Sequence, residues 1–391
     1  MIENKAMYIQ SLTLNNFRNY AHLELSLPGQ MVVLQGDNAQ GKTNLLEAIY
    51  LLAATRSPLA ATEREFLRWQ SWQEDIPVAR LVARVQRASD RLQLELAFRG
   101  EPRSDGPQSG LVYKQIKMNG LARRASDVVG LVNVVLFTAR DIEIVGGAPS
   151  LRRRYMDLVL CQADSRYLRA LQDYGKVLDQ RNPLLKRIQE GESRPDELHF
   201  WDNELVDKGS YVCLARRQLV AHLNLLVAKI HPQLAPGETL ELVYRPSLNS
   251  GVEQDFEQLK AAFQLALAGI QKREIGAGTS LVGPHRDDLQ FLNGDTDLGV
   301  YASRGQQRTV SLSLRLAEAG YLKEKKGDSP VLLLDDVLSE LDPQRRGRLL
   351  TWLADYEQVL LTTAEFDLLP ADLLSRATRL QVRQGAITPV A

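Results

Sequence analysis

Gly36-Asp37-Asn38-Ala39-Gln40-Gly41-Lys42-Thr43 is the stretch whose reading decides the fold. It satisfies G-x-x-x-x-G-K-[ST] at every fixed position. An apolar run, Met31-Val32-Val33-Leu34, precedes it and predicts a buried strand. Leu45, Leu46, Ile49 and Leu52 follow at helical spacing. A strand–loop–helix of this kind turns backbone N–H groups inward and points a helix N-terminus at phosphate oxygens. Lys42 is then expected to reach β- and γ-phosphates, and the Thr43 hydroxyl to ligate Mg²⁺. The competing reading, a Gly-rich turn with an incidental Lys-Thr, does not require the strand and helix that flank it.

The chain of 391 residues is long enough for two or three structural units. Hydrophobic residues make up 44% and charged residues 25%, the balance of a soluble globular protein. No apolar run approaches the ~20 residues of a membrane helix, and the polar Met1–Lys5 start predicts no secretory signal. Cys161 and Cys213 form neither a disulfide framework nor a metal spacing, which suits a reducing cytosol. Lys plus Arg equals Asp plus Glu, so any polyanion must be met by local patches rather than by net charge.

Working outward, Ile9–Leu14 and His22–Leu27 alternate as two antiparallel strands. Leu81–Arg87 and Leu92–Phe98 predict a hairpin turning at Ala88-Ser89-Asp90, and Val112–Met118 a further strand. Gly100–Gly110, rich in Gly, Pro and Ser, predicts a mobile loop, and Val132–Phe137 a buried strand. From Ser150 the spacing turns helical. Asn182-Pro183 predicts the start of a new short helix, Gly209 a kink, and His231-Pro232 a helix end. Strand alternation returns at Leu289–Leu292, and Val331–Leu334, Val359–Thr363 and Thr378–Val382 complete the chain. The expected division is 1–147 for the first part of a head, 148–283 for a mainly α-helical inserted lobe, and 284–391 for the rest of the head.

A phosphate loop needs a carboxylate for Mg²⁺ at the end of a neighbouring strand, and Val331–Leu334 ends in Asp335 and Asp336. One carboxylate can hold the metal while the next orients the attacking water. Ser303-Arg304-Gly305-Gln306 opens a helix before this acidic strand. Its Ser hydroxyl and helix N–H groups could bind the γ-phosphate carried by a second molecule. A simple N-capped surface helix is the plainer alternative. Ser339-Glu340-Leu341-Asp342 follows where a dimer-facing loop would lie.

The order of these elements resembles the ABC-type ATPases and, within them, the RecF recombination mediators, relatives of the SMC proteins. The resemblance rests on Asn16-Phe17-Arg18-Asn19-Tyr20, Gly36–Thr43, Gln180-Arg181-Asn182, Gly283-Pro284-His285-Arg286-Asp287-Asp288, Ser303–Gln306 and Leu332–Asp342. It implies an α/β P-loop head, a mixed sheet with flanking helices, and ATP held by Gly36, Asp37, Asn38, Ala39, Gln40, Gly41, Lys42 and Thr43. It implies Mg²⁺ on Thr43 and Asp335, and Asp336 in the catalytic carboxylate place. Ser303, Arg304, Gly305 and Gln306 look like the signature motif that meets ATP across a dimer, with Ser339 and Asp342 in the dimer-facing loop. The family is further expected to be a weak, DNA-stimulated ATPase that forms an ATP-dependent homodimer on gapped duplex, single- and double-stranded DNA. RecO and RecR are the implied partners in loading RecA, in the cytoplasm at the nucleoid and with no membrane attachment. Where ABC proteins usually carry Glu this chain has Asp336, and Thr363 stands where many carry a switch His. A transporter's nucleotide-binding subunit is the main rival and usually keeps both Glu and His. An SMC-like clamp would need long coiled coils, and a metabolic kinase would not account for Ser303–Gln306.

Overall fold

A computed structural model describes residues 7–88, 90–103, 106–248 and 255–390. The expected turn at Ala88-Ser89-Asp90 and the residues before Asp255 therefore fall partly outside the described residues. The chain forms two compact units, one of residues up to 141 together with 315 onward, the other of 142–314. The expected boundary at 283/284 is displaced, because Asp288–Asn293 pairs with Glu241–Arg245 in a small sheet inside the second unit. The Ser303 element belongs to that unit too.

The first unit carries two six-stranded sheets. One is antiparallel throughout, in the order Tyr20–Ser26, Tyr8–Phe17, Val78–Gln86, Arg91–Arg103, Gly106–Met118, Leu121–Ala122. The other runs Ala386–Pro389, Thr378–Arg383, Met31–Gln35, Val359–Thr363, Val331–Asp335, Val134–Thr138, and is parallel apart from its first pair. Met31–Leu34, Val359–Leu361 and Val331–Leu334 within it are continuous apolar runs, as strands buried on both faces are. Helix Lys42–Ala54 buries eleven residues, and nine of them join side chains of both sheets in one apolar core. Each fully buried Leu or Ile there contributes roughly 1.5–3 kcal/mol of transfer free energy.

Gly100–Gly110 is not the loop its composition predicts. Strands run to Arg103 and resume at Gly106. The two glycines serve close approach instead: a Cβ on Gly100 would lie 2.8 Å from the Trp72 ring, and one on Gly110 would strike the Glu101 carbonyl.

The second unit is mainly helical. Helix Pro149–Ala163 ends at Asp164, whose carboxylate caps Ser165–Gln189 by accepting from the Arg166 N–H at 2.8 Å. Pro183 lies inside that second helix and starts no new one. Asn182 instead accepts from the backbone and hydroxyl of Ser280 at 2.9 and 2.8 Å. Leu198–Leu234 continues through Pro232 to its last turn. Gly209 leaves room for Phe263, whose ring would sit 2.6 Å from a Cβ there.

Candidate active site

Parallel pairing brings four strand ends to one edge. Val359–Thr363 lies between Met31–Gln35 and Val331–Asp335, with Gln35 beside Thr363 and Asp335 beside Thr138. Ligand sites of open α/β sheets form at this carboxyl edge. A cavity of about 500 Å³ opens there, lined by Asp37–Asn44, Arg18, Glu47, Leu59, Thr138–Arg140, Asp335 and Asp336.

The phosphate loop is braced on both sides. Gly41 takes φ +117°, and a Cβ there would lie 2.6 Å from the Asn19 amide nitrogen. Asn19 donates to the Gln40 carbonyl at 2.9 Å, Tyr20 to that of Gly41 at 2.9 Å, and the Gly385 N–H to Gln40 at 3.0 Å. Ala39 is also left-handed, at φ +64°. Asn19 and Tyr20 of the Asn16–Tyr20 stretch, quoted above only as a pattern, thus clamp the loop. Arg18 lines the cavity while forking onto buried Glu47 at 2.8 and 2.9 Å.

Lys42 is buried and donates to the carbonyls of Gly36 and, at 2.9 Å, Asp37. Burial lowers its pKa, opposed by Asp336, Asp335 and Asp37. Thr43 donates its hydroxyl to Asp335 at 2.7 Å, and Thr362 donates to the other Asp335 oxygen at 2.9 Å. Burial raises the Asp335 carboxyl above its usual range, with Asp336 adding to the effect and the two hydroxyls opposing it. Asp336 sits in the left-handed region at φ +51°, its N–H donating to Thr362 at 2.9 Å. Its Oδ1 is buried with no hydrogen-bond partner among the described residues. A strained backbone and an orphaned carboxylate oxygen at one residue mark a group shaped for something other than stability. Thr362 was missed in the sequence, where it is one of two threonines ending an apolar strand. Thr363, by contrast, spends its hydroxyl on the Glu365 carbonyl at 2.7 Å.

The remaining expected residues are not among those that line this cavity. Ser303 and Gln306 form a reciprocal capping box on helix Arg304–Lys326: Gln306 N–H donates to the Ser303 hydroxyl at 3.3 Å, and Ser303 N–H to the Gln306 side chain at 3.0 Å. Ser303 and Arg304 are exposed, as are Val300 and Tyr301 at 69% and 76%. Ser339 donates to the Asp336 carbonyl at 2.7 Å. Asp342 caps helix Pro343–Leu353, and that backbone hydrogen bond from Arg345 holds its carboxyl below the usual range. Among the described residues no group of three His, Cys, Asp or Glu side chains could hold a metal, so Thr43 and Asp335 offer only part of a coordination shell. Oxygens of a bound phosphate and water complete such a shell in Mg²⁺ sites. No described helix is long and apolar enough to cross a membrane.

The chain matches the family described as RecF/RecN/SMC N terminal domain over residues 8–384. It is 43% identical to the DNA replication and repair protein RecF of Roseiflexus castenholzii, over 98% of this chain and 100% of that one. A solved structure described as the recombination mediator protein RecF–ATP in the RecFOR pathway superimposes with a TM-score of 0.88 at 30% identity, covering 99% of this chain and 98% of that one. An Smc head domain derived from Pyrococcus furiosus shares the fold at a TM-score of 0.53 and 15% identity, covering 98% and 96%. None of these three is a transporter subunit. The match across residues 8–384 and the near full-length identity lead to one conclusion: the chain belongs to the RecF family of DNA replication and repair proteins.

Proposed function

We propose that the chain binds ATP with Mg²⁺ at this carboxyl edge, hydrolyses ATP slowly, and couples that cycle to pairing with a second copy on DNA during recombinational repair. The observation that carries the reading is the facing of Lys42 and Thr43 by Asp335 and a partnerless Asp336 oxygen at one cavity. The loop N–H groups and Lys42 would hold the β- and γ-phosphates, with Lys42 exchanging carbonyl partners for phosphate oxygens. Thr43 and Asp335 would hold Mg²⁺, which neutralises charge developing on the phosphate oxygens. Asp336 Oδ1 would accept a hydrogen bond from the attacking water and orient it in line. Asp is one methylene shorter than Glu, so the water is held less closely, in keeping with slow turnover.

Ser303–Gln306 would complete the site of a second copy. A capped, exposed N-terminus of a 23-residue helix offers oriented N–H groups, and the exposed Val300 and Tyr301 beside it supply apolar contact surface. Ser339 and Asp342 would face the same partner. DNA would be met by patches. Arg152, Arg153, Arg216 and Arg346 are engaged with carboxylates or carbonyls inside the fold, whereas Arg123 and Arg124 stay exposed. Gapped duplex is the expected DNA, and RecO and RecR the expected partners in RecA loading.

Sedimentation with and without Mg–ATP tests the reading. The expected outcome is a shift from monomer to dimer with ATP, strengthened by gapped duplex. An unchanged mass with ATP bound removes the ATP-gated dimer.

A further inference from the structure

Three cationic side chains line the cavity: Arg18, Lys42 and Arg140. Arg18 is bound to Glu47 at 2.8 Å and lies 3.5 Å from Glu65. Lys42 is the lysine of the phosphate motif. Arg140 is exposed, and its guanidinium has no ion-pair partner among the described residues. Its position is set by the sheet. Thr138 pairs with Asp335 across the parallel register, so Ala139 and Arg140 continue past the strand end beside the two aspartates.

The turn that displays Arg140 is pinned. Asp141, buried, accepts from the Thr138 N–H at 2.9 Å and from the Arg315 guanidinium at 2.8 and 3.1 Å. Arg315 is held in turn by Glu318 at 2.8 Å. One residue of the turn thus faces the protein and is locked, while its neighbour faces the cavity with its charge uncommitted. A planar guanidinium held this way suits bidentate contact with phosphate oxygens. The cavity's carboxylates, Asp37, Glu47, Asp335 and Asp336, outnumber its cations, so an incoming triphosphate needs this charge.

We propose that Arg140 binds the γ-phosphate of the nucleotide held by the same chain, and so makes the cavity distinguish ATP from ADP. The proposal rests on the ATP reading above. Beside Asp335 and Asp336, the guanidinium meets the terminal phosphoryl group, the one that ADP lacks. Asp141 acts as a positioning residue through Thr138 and Arg315.

The test is equilibrium binding of a non-hydrolysable ATP analogue and of ADP, each with Mg²⁺, to the parent, Arg140→Ala and Arg140→Lys. A charge-assisted hydrogen bond predicts about tenfold or greater loss of analogue affinity in Arg140→Ala, with ADP affinity changed less than twofold. Arg140→Lys should recover part of the loss. ADP binding also reports that the variant is folded. An equal loss for both nucleotides, or no loss for either, overturns the assignment while leaving ATP binding by the parent intact. A parent that binds neither nucleotide overturns the ATP reading, and the Arg140 assignment with it.

Discussion

Two regions of this molecule bury charge, and they do so in opposite ways. In the second unit Arg181, wholly buried, reaches Asp202, Glu274 and Ser280 at 2.8, 2.6 and 2.7 Å. Arg216 reaches Asp157 at 2.8 Å and the Pro284 carbonyl, and Asp287 is further supplied by Tyr244 and the Ser247 N–H. At the carboxyl edge of the first unit, by contrast, one Asp336 oxygen has no hydrogen-bond partner and Arg140 no ion-pair partner among the described residues, and burial works against the charge on Asp335. Paired charge is architecture; unpaired charge is capacity for a ligand. The comparison also explains two sequence patterns. Gln180-Arg181-Asn182 and Gly283–Asp288 stand out as chemistry-bearing residues, yet they tie the helices of the second unit to its loops.

The sharpest break of this contrast is at Asp336. Asp336→Asn should lower single-turnover ATP hydrolysis by about 10²–10⁴-fold, the effect of losing a general base. Mg–ATP binding should persist, because Asp335 and Thr43 are untouched. The ATP-bound dimer should then outlast that of the parent on DNA after competitor challenge. Hydrolysis at the parental rate would mean that the water is oriented by another group.

At Arg181 the loss should appear as stability. Arg181→Ala leaves Glu274 buried without its partner, and breaking a buried pair costs about 3–5 kcal/mol. Denaturant unfolding should show this drop, while nucleotide affinity of the remaining folded protein stays near parental. A double replacement, Arg181→Met with Glu274→Leu, should be milder than the single one. If the single variant is as stable as the parent, the paired cluster is not what holds the second unit together.

How far these regions were legible depends on the range of their physics. The phosphate loop, the apolar parallel strands and the paired aspartates are local patterns, and the sequence shows them directly. Pro183 and Pro232 read as helix breaks because an interior proline costs ~3 kcal/mol. Packing outweighs that here, since Leu184 and Leu185 beside Pro183, and His231 and Leu234 beside Pro232, are all buried. The glycines at 100 and 110 read as a loop because their close contacts are made by distant residues. Arg140 and Thr362 were missed at the site, although each ends or follows an apolar strand that shares an edge with the phosphate loop. Strand-end position was the usable signal for both.

A smaller effect separates the regions by pH. Burial pushes the His285 imidazole down to about 4. The ring is hydrogen-bonded to Tyr174 through Nδ1 at 2.6 Å and to the Ser280 carbonyl through Nε2 at 3.1 Å. The carbonyl can only accept, so Nε2 carries the hydrogen and Nδ1 accepts from the Tyr174 hydroxyl. A folded pKa below the unfolded value contributes stability that is full above about 6.5 and is lost as pH falls towards 4. The whole shift corresponds to roughly 3 kcal/mol at 1.36 kcal/mol per unit. Unfolding free energies at pH 7.5 and 4.5 should therefore differ more in the parent than in His285→Gln. An equal pH difference in the two proteins would locate the acid sensitivity elsewhere.

The smallest change in stability belongs to Ser303, and there the two uses of polar groups meet in one residue. Its hydroxyl already accepts from Gln306 N–H, so the element is complete as a helix cap without any second molecule. In the dimer the same hydroxyl is asked to face a phosphate. Replacing an N-cap serine by Ala costs about 1 kcal/mol, whereas Gly costs only a few tenths. Ser303→Gly therefore removes the hydroxyl while leaving the helix start nearly as stable as before. If Ser303 serves only as a cap, Ser303→Gly should sediment with ATP as the parent does. If the hydroxyl completes a partner's site, ATP should still bind each monomer, but the shift to dimer should weaken by the loss of one charge-assisted hydrogen bond, about tenfold or more in association constant. Thermal unfolding of the ligand-free variant supplies the control, since a large fall in its midpoint would show that the cap itself had been lost. A parental midpoint with parental ATP-driven association would leave the exposed N–H groups and Tyr301, not Ser303, as the source of any contact across the dimer.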